Sequence, residues 1–219
     1  MSGIALPADG GASPTKQKLA LALKIATSAF LVLFMLRFYF KDAVPYFDFS
    51  ESSYGDFWPR RGWLLMHIIG GSLALLTGPF QFFSGLRRKY MRVHRWTGRS
   101  YLLGIVVGSI GATSLAFTTN GSPGWSLGLL ALAGAWIITG TMAYVSIRMR
   151  RISLHQEWMI RSYVVTFAFV MFRWLVEVES LQTAFGPELS TAMIWASWVV
   201  PLILVEAGMQ GRKLMTGKA

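Results

Sequence analysis

Apolar residues in this chain fall in long unbroken blocks, with neither the alternation of a strand nor the single apolar face of a soluble helix. Six blocks, at about 19–39, 63–83, 97–117, 125–147, 158–178 and 191–210, approach the roughly 20 residues that cross a hydrocarbon core of about 30 Å. Backbone groups cannot go unpaired in lipid, so such blocks are helices. The pattern predicts an all-α fold, a polytopic membrane bundle of six transmembrane helices forming one domain over 16–219. Residues 1–15 mix Gly, Pro, Ser and other small residues, and are expected to be a disordered cytoplasmic tail. The first block is longer than the apolar core of a signal peptide, and the following KDAVPYFDF lacks a small-residue cleavage site. It is expected to stay as the first span.

The chain also resembles itself. A shift of 62 positions superposes Trp63 on Trp125, Leu65 on Leu127 and Thr77-Gly78 on Thr139-Gly140. The same shift puts Ser84 on Ser146, Arg88 on Arg150, Trp96 on Trp158, and Arg99-Ser100-Tyr101 on Arg161-Ser162-Tyr163. This predicts a tandem repeat of helical hairpins, helices 2–3 (about 63–117) and helices 4–5 (about 125–178). Both units enter the membrane from the same side, so the repeat is parallel.

Composition fits this class. The 219 residues are 53% hydrophobic and 14% charged, with mean hydropathy +0.46; soluble domains carry about 25% charged residues. A net charge of +11 would suit a nucleic-acid binder, but the basic residues crowd the ends of apolar blocks. With the N-terminus inside, 16 of the 21 Lys and Arg residues fall on the inner side; the exceptions are Arg37, Lys41, Arg60, Arg61 and Arg173. Positive-inside bias then predicts that both termini are cytoplasmic. The expected partner is the lipid bilayer, with anionic headgroups at the cytoplasmic face, and not nucleic acid.

Candidate chemistry is sparse. The chain has no cysteine, so disulfides, iron–sulfur clusters and thiol catalysis are excluded. It carries no phosphate loop, zinc-protease pair, nucleophile elbow or paired-Asp constellation. The three histidines are His67, His94 and His155. His94 shares a helical face with Thr97, Gly98 and Tyr101, and His155 shares one with Trp158, Met159 and Ser162. If helices 3 and 5 face each other, the two imidazoles meet at the cytoplasmic end. There they are candidate axial ligands of haem b, with nearby Arg to suit its propionates. The plainer reading is that both histidines meet lipid headgroups.

His67 stands about one turn inside helix 2, on a narrow face with Gly71, Ala74, Gly78 and Gln81. An ionisable residue at that depth is a candidate site, and small residues admit a close neighbour or a flat cofactor. It lies nearly a span from His94, so the three histidines cannot share one metal. A haem at His67 would need another ligand opposite, such as Met. The rival is a cavity lined by His67, Gly71, Gln81 and Arg173 that binds or transports a small solute. The plainer alternative is helix packing, with His67 hydrogen-bonded to a neighbouring helix. The spacing predicts ion pairs Arg173–Glu177 and Glu157–Arg161. Glu206 is expected to partner Arg99 or Arg161, and Gly104, Gly108 and Gly111 to serve packing. A third reading is a non-catalytic membrane subunit or assembly factor.

The stretches HIIGGSLALLTGPFQF, LRRKYMRVHRWTGRSYLLG and HQEWMIRSYVVTFAFVMFRW, within roughly 60–178, carry a resemblance. The chain resembles the bacterial predicted membrane proteins of domain-of-unknown-function family 2306. His67, Gln81, His94, Arg95, Gly98, Arg99, His155, Trp158, Arg161 and Arg173 match that pattern. The resemblance implies a multispan protein of the bacterial inner membrane and assigns no cofactor.

Overall fold

A computed structural model describes residues 14–217, and every described regular element is helical. The tail expected over 1–15 lies outside the described residues except for Pro14 and Thr15, which open α1 (Pro14–Phe38). A π-helical turn (Tyr39–Ala43) and a 3-10 turn (Val44–Asp48) lead to α2 (Glu51–Tyr54) and a second 3-10 turn (Gly55–Arg60). Then come α3 (Arg61–Thr77), a 3-10 turn (Pro79–Gln81), α4 (Ser84–Lys89) and α5 (Met91–Phe117). They are followed by α6 (Pro123–Arg148), α7 (Ile152–Thr166), α8 (Ala168–Leu175), α9 (Glu179–Phe185), a 3-10 turn (Gly186–Glu188) and α10 (Leu189–Thr216).

Among the described residues, four helical stretches are long and apolar enough to cross a membrane: Glu51–Gln81, Met91–Phe117, Pro123–Arg148 and Glu179–Thr216. Large side chains such as Phe30, Leu103, Ile138 and Ile203 point outward, as lipid-facing residues do. The block expected at 158–178 is two helices, not one. The break falls at Thr166–Phe167, where α7 ends on Thr166, whose Oγ1 donates to the Ser162 carbonyl at 2.9 Å. The basic stretch 87–101 is helical except at Tyr90, where the backbone leaves the helix between α4 and α5.

The tightest packing joins α3 to α5, and glycine explains it. A Cβ at Gly70 would collide with the Gly108 backbone, and one at Gly104 would lie 2.7 Å from Ala74 N. One at Gly111 would lie 2.7 Å from His67 N. Lipid supplies little hydrophobic force between helices, so such backbone contact is how they associate. The face expected to run His67–Gly71–Ala74–Gly78–Gln81 is therefore divided. Ala74 joins Gly70 against α5, Gly78 packs on the Tyr163 ring, and Gly71 has open space beside it.

The core centres on Tyr101, Ile105, Leu132, Trp136, Met159, Phe172 and Ile194, from α5, α6, α7, α8 and α10. A smaller cluster of Phe34, Leu75 and Val170 attaches α1. Residues 39–60 form a cap over one end. Buried Tyr54 donates to the Tyr46 carbonyl at 2.9 Å and packs against Phe49 and Trp58. Asp48 accepts from Ser50 N at 3.1 Å and Ser53 Oγ at 2.7 Å, which holds its carboxyl below the usual range.

Candidate functional site

Where the cap meets α3, α5, α6, α7 and α8 there is a cavity of about 360 Å³, within the range of small-molecule pockets. Most of its wall is apolar and much of it aromatic: Phe38, Phe57, Trp125, Trp136, Phe169 and Phe172. His67, Arg173, Asp42 and Tyr46 bring ionisable groups, Ser72, Thr119, Thr166 and Ser190 bring hydroxyls, and Gly71 opens the wall beside His67.

The glycine-dense contact of α3 on α5 sets the His67 ring. It brings His67 Nδ1 to 3.0 Å from the Gly108 carbonyl oxygen. A carbonyl only accepts, so Nδ1 carries the hydrogen, and Nε2 of the neutral ring is an acceptor. Phe169 holds the ring edge-on with centroids 5.0 Å apart, and Trp136 stands at 6.4 Å.

Arg173 does not pair with Glu177 as its spacing predicts. Helix α8 ends at Leu175, so Glu177 lies past the last turn and loses i,i+4 geometry. Instead Glu177 accepts from Arg37 at 2.6 Å and Lys41 at 2.5 Å. Hydrogen bonds from Lys41, then Arg37, hold its carboxyl below the usual range. Arg173 turns to Asp42, with Nε 3.8 Å from Oδ1. The Asp42 side chain is 11% exposed, and its Oδ2 is buried without a donor.

Below the cavity lies a closed polar network. Tyr101 OH is 2.8 Å from Ser162 Oγ and 2.9 Å from Thr166 Oγ1, and Trp136 Nε1 donates to Thr166 Oγ1 at 2.8 Å. Thr166 gives its own hydrogen to the Ser162 carbonyl, so Tyr101 must donate to Thr166 and accept from Ser162. The chain of donors ends on a main-chain carbonyl, which makes this a structural lock.

The other sequence candidates lie elsewhere. Gln81 is buried away from the cavity and donates to Thr97 Oγ1 at 2.8 Å, tying the 3-10 turn after α3 to α5. His94 and His155 are electrostatic neighbours, and both are half-buried. His155 Nδ1 donates to the Ala143 carbonyl at 2.8 Å, while His94 Nδ1 is buried without a partner. The Tyr101–Ser162 bond joins the helical faces that carry these histidines. Among the described residues no three His, Asp or Glu side chains gather as a metal cluster, and no methionine lines the cavity. Arg161 reaches Glu206 through Nε at 2.9 Å and Nη2 at 2.6 Å, and lies 3.7 Å from Glu157. Both pairings follow from sequence spacing and the choice of partners it left open.

Asp42 carried no sequence signal, since it stands in an irregular segment with no periodicity. The Tyr101–Thr166–Trp136 link was equally hidden, because its members come from three helices. The model of a family described as a predicted membrane protein (DUF2306) matches residues 64–208, from α3 into α10. No curated protein and no solved structure matches the chain.

Proposed function

The chain belongs to that family of predicted membrane proteins, and from this premise we propose that it binds a small, largely apolar molecule in the cavity between His67 and Arg173. One observation carries the reading. His67 of α3 and Arg173 of α8, far apart in sequence, line the same cavity with little protein bonding to occupy their polar atoms. The test is to extract the purified protein and identify released small molecules by mass spectrometry, with Gly71→Leu as the blank. Gly71 lines the cavity and its Cβ would meet nothing within 4 Å, so leucine fills space without a backbone clash. A molecule present in the wild type and lost from Gly71→Leu supports the reading; identical extracts contradict it.

The architecture we propose is a six-span bundle in the bacterial inner membrane, with both termini cytoplasmic and the cavity in the outer half. Helix α1 has 25 residues, about 37 Å by helical rise, and α7 with α8 make a second, bent crossing. Inner basic residues such as Arg87, Arg88, Arg148 and Arg151 lie at helix ends opposite the cap. The hairpin repeat gains support from its two matched tyrosines, each of which reaches into the other unit. Tyr101 of α5 bonds Ser162 of α7, and Tyr163 of α7 donates to the Leu75 carbonyl of α3 at 3.2 Å. The matched glycines behave alike: Gly78 packs on Tyr163, and Gly140 on Ile105 and Leu102 beside Tyr101.

A second reading keeps haem b between His94 and His155, relaying electrons. The observation favouring it is the His155 bond to the Ala143 carbonyl, which fixes Nδ1–H and leaves Nε2 as a ligand atom. Haem bound there would supply one-electron chemistry. A reduced-minus-oxidised spectrum with sharp α and β bands, lost in His155→Ala, would support this reading. A colourless folded protein expressed with adequate haem would sink it.

A further inference from the structure

We infer that the cavity takes a neutral aromatic molecule bearing a hydroxyl group, in the chemical class of a phenol or hydroquinone, and not a carboxylate or an amine. This rests on the reading that the cavity binds a small molecule. The ionisable side chains in its wall are Asp42, Tyr46, His67 and Arg173. With His67 neutral, Asp42 and Arg173 cancel. An anion entering near Arg173 meets the Asp42 carboxylate, and a cation meets the guanidinium; a neutral head meets neither penalty.

The hydrogen-bonding vacancies specify the head group. His67 Nε2 is an acceptor with no partner among the described residues, whereas Asp42 Oδ2 is closed off from the cavity and contributes its charge alone. Arg173 has five N–H donors and makes one long contact, to Asp42 at 3.8 Å. One open acceptor and one under-used donor in the same wall suit a hydroxyl, which donates one hydrogen and accepts another. Thr166 and Trp136 do not compete, because each is committed to the Tyr101 network. The ring follows from the wall, where Phe38, Phe57, Trp125, Phe169 and Phe172 offer faces and edges to a flat π-system.

Three probes of similar shape separate the classes: 2-naphthol, 2-methoxynaphthalene and 2-naphthoate. Equilibrium dialysis at neutral pH uses the full chain in lipid nanodiscs, with Gly71→Leu nanodiscs subtracting partition into lipid. The proposal expects saturable 2-naphthol binding, about tenfold or more tighter than either other probe. Asp42→Asn, checked for native helicity, should shrink that preference. Equal binding of 2-methoxynaphthalene, or tighter binding of 2-naphthoate, would overturn the hydroxyl assignment while leaving the cavity reading in place. No saturable binding of any probe would also overturn it, and the co-purification result would then judge the cavity by itself.

Discussion

His67 Nδ1 lies 3.0 Å from the main-chain oxygen of Gly108, a bond that exists because α3 and α5 touch backbone to backbone. A Cβ at Gly108 would come within 2.9 Å of the Trp136 ring and 3.2 Å of Gly71 N. Gly108→Ala is therefore expected to lose about 1–3 kcal/mol, as overpacked cores do. The neighbouring Gly71→Ala should gain up to about 1 kcal/mol, since its Cβ meets open space and alanine favours the helix. Unfolding in mild detergent, compared across the two variants, checks the contrast. Equal stability of both variants would contradict the close packing of Trp136 and Gly71 on Gly108.

The Tyr101 lock predicts non-additive energetics. Tyr101→Phe leaves Ser162 Oγ without its partner in a fully buried site and should cost about 1–3 kcal/mol. Thr166→Val added to it should cost less than the sum of the two single changes, because both remove one shared bond. A double-mutant cycle measures the coupling; strict additivity would contradict the network.

Arg150 sits with φ of 59° at the end of α6, where the Arg151 N–H reaches back to the Ser146 carbonyl at 2.9 Å. This left-handed terminus normally carries glycine. Arg150→Gly is expected to stabilise the protein by about 1 kcal/mol, read as a raised melting temperature.

Acid should release α1 from α8. Glu177 has its carboxyl held below the usual 4.5 by Lys41 and Arg37, so its contribution is complete above that value and is lost as pH falls through the lowered one. Trp174 reports the event, because Phe34 stacks on it at 4.1 Å and Arg37 lies over it at 4.4 Å. Tryptophan emission should change with acidification below pH 4.5 in the wild type. Glu177→Gln should show the acid-like signal already at neutral pH, and a variant indistinguishable from wild type would contradict the link.

The helical class, the histidine inventory and the glycine packing of α5 could be read from sequence, and Arg161 was one of the two partners it offered Glu206. Each rests on periodicity, composition or spacing within one helix, or on a scarcity of partners. The cavity polar set was only half legible. His67 and Arg173 stand out as ionisable residues in apolar blocks, but Asp42 sits in the cap, whose 3-10 and π turns have no repeating pattern. Arg173 was given the wrong partner because spacing assumes a continuous helix, and α8 stops two residues short of Glu177. Gln81 was grouped with His67 because a straight 3.6-residue face was assumed, whereas α3 gives way to a 3-10 turn at Pro79.

The central claim is that Gly71 opens onto a cavity reachable by small molecules. The chain has no cysteine, so a single introduced thiol reports its own position. The measurement is the rate at which a small methanethiosulfonate labels Gly71→Cys in the folded protein. The reference is Gly134→Cys on α6, another glycine with open space beside it but outside the cavity wall. Faster labelling at Gly71, slowed when Phe169→Trp narrows the wall, is the predicted result. Labelling at Gly71 no faster than at Gly134 would contradict the account.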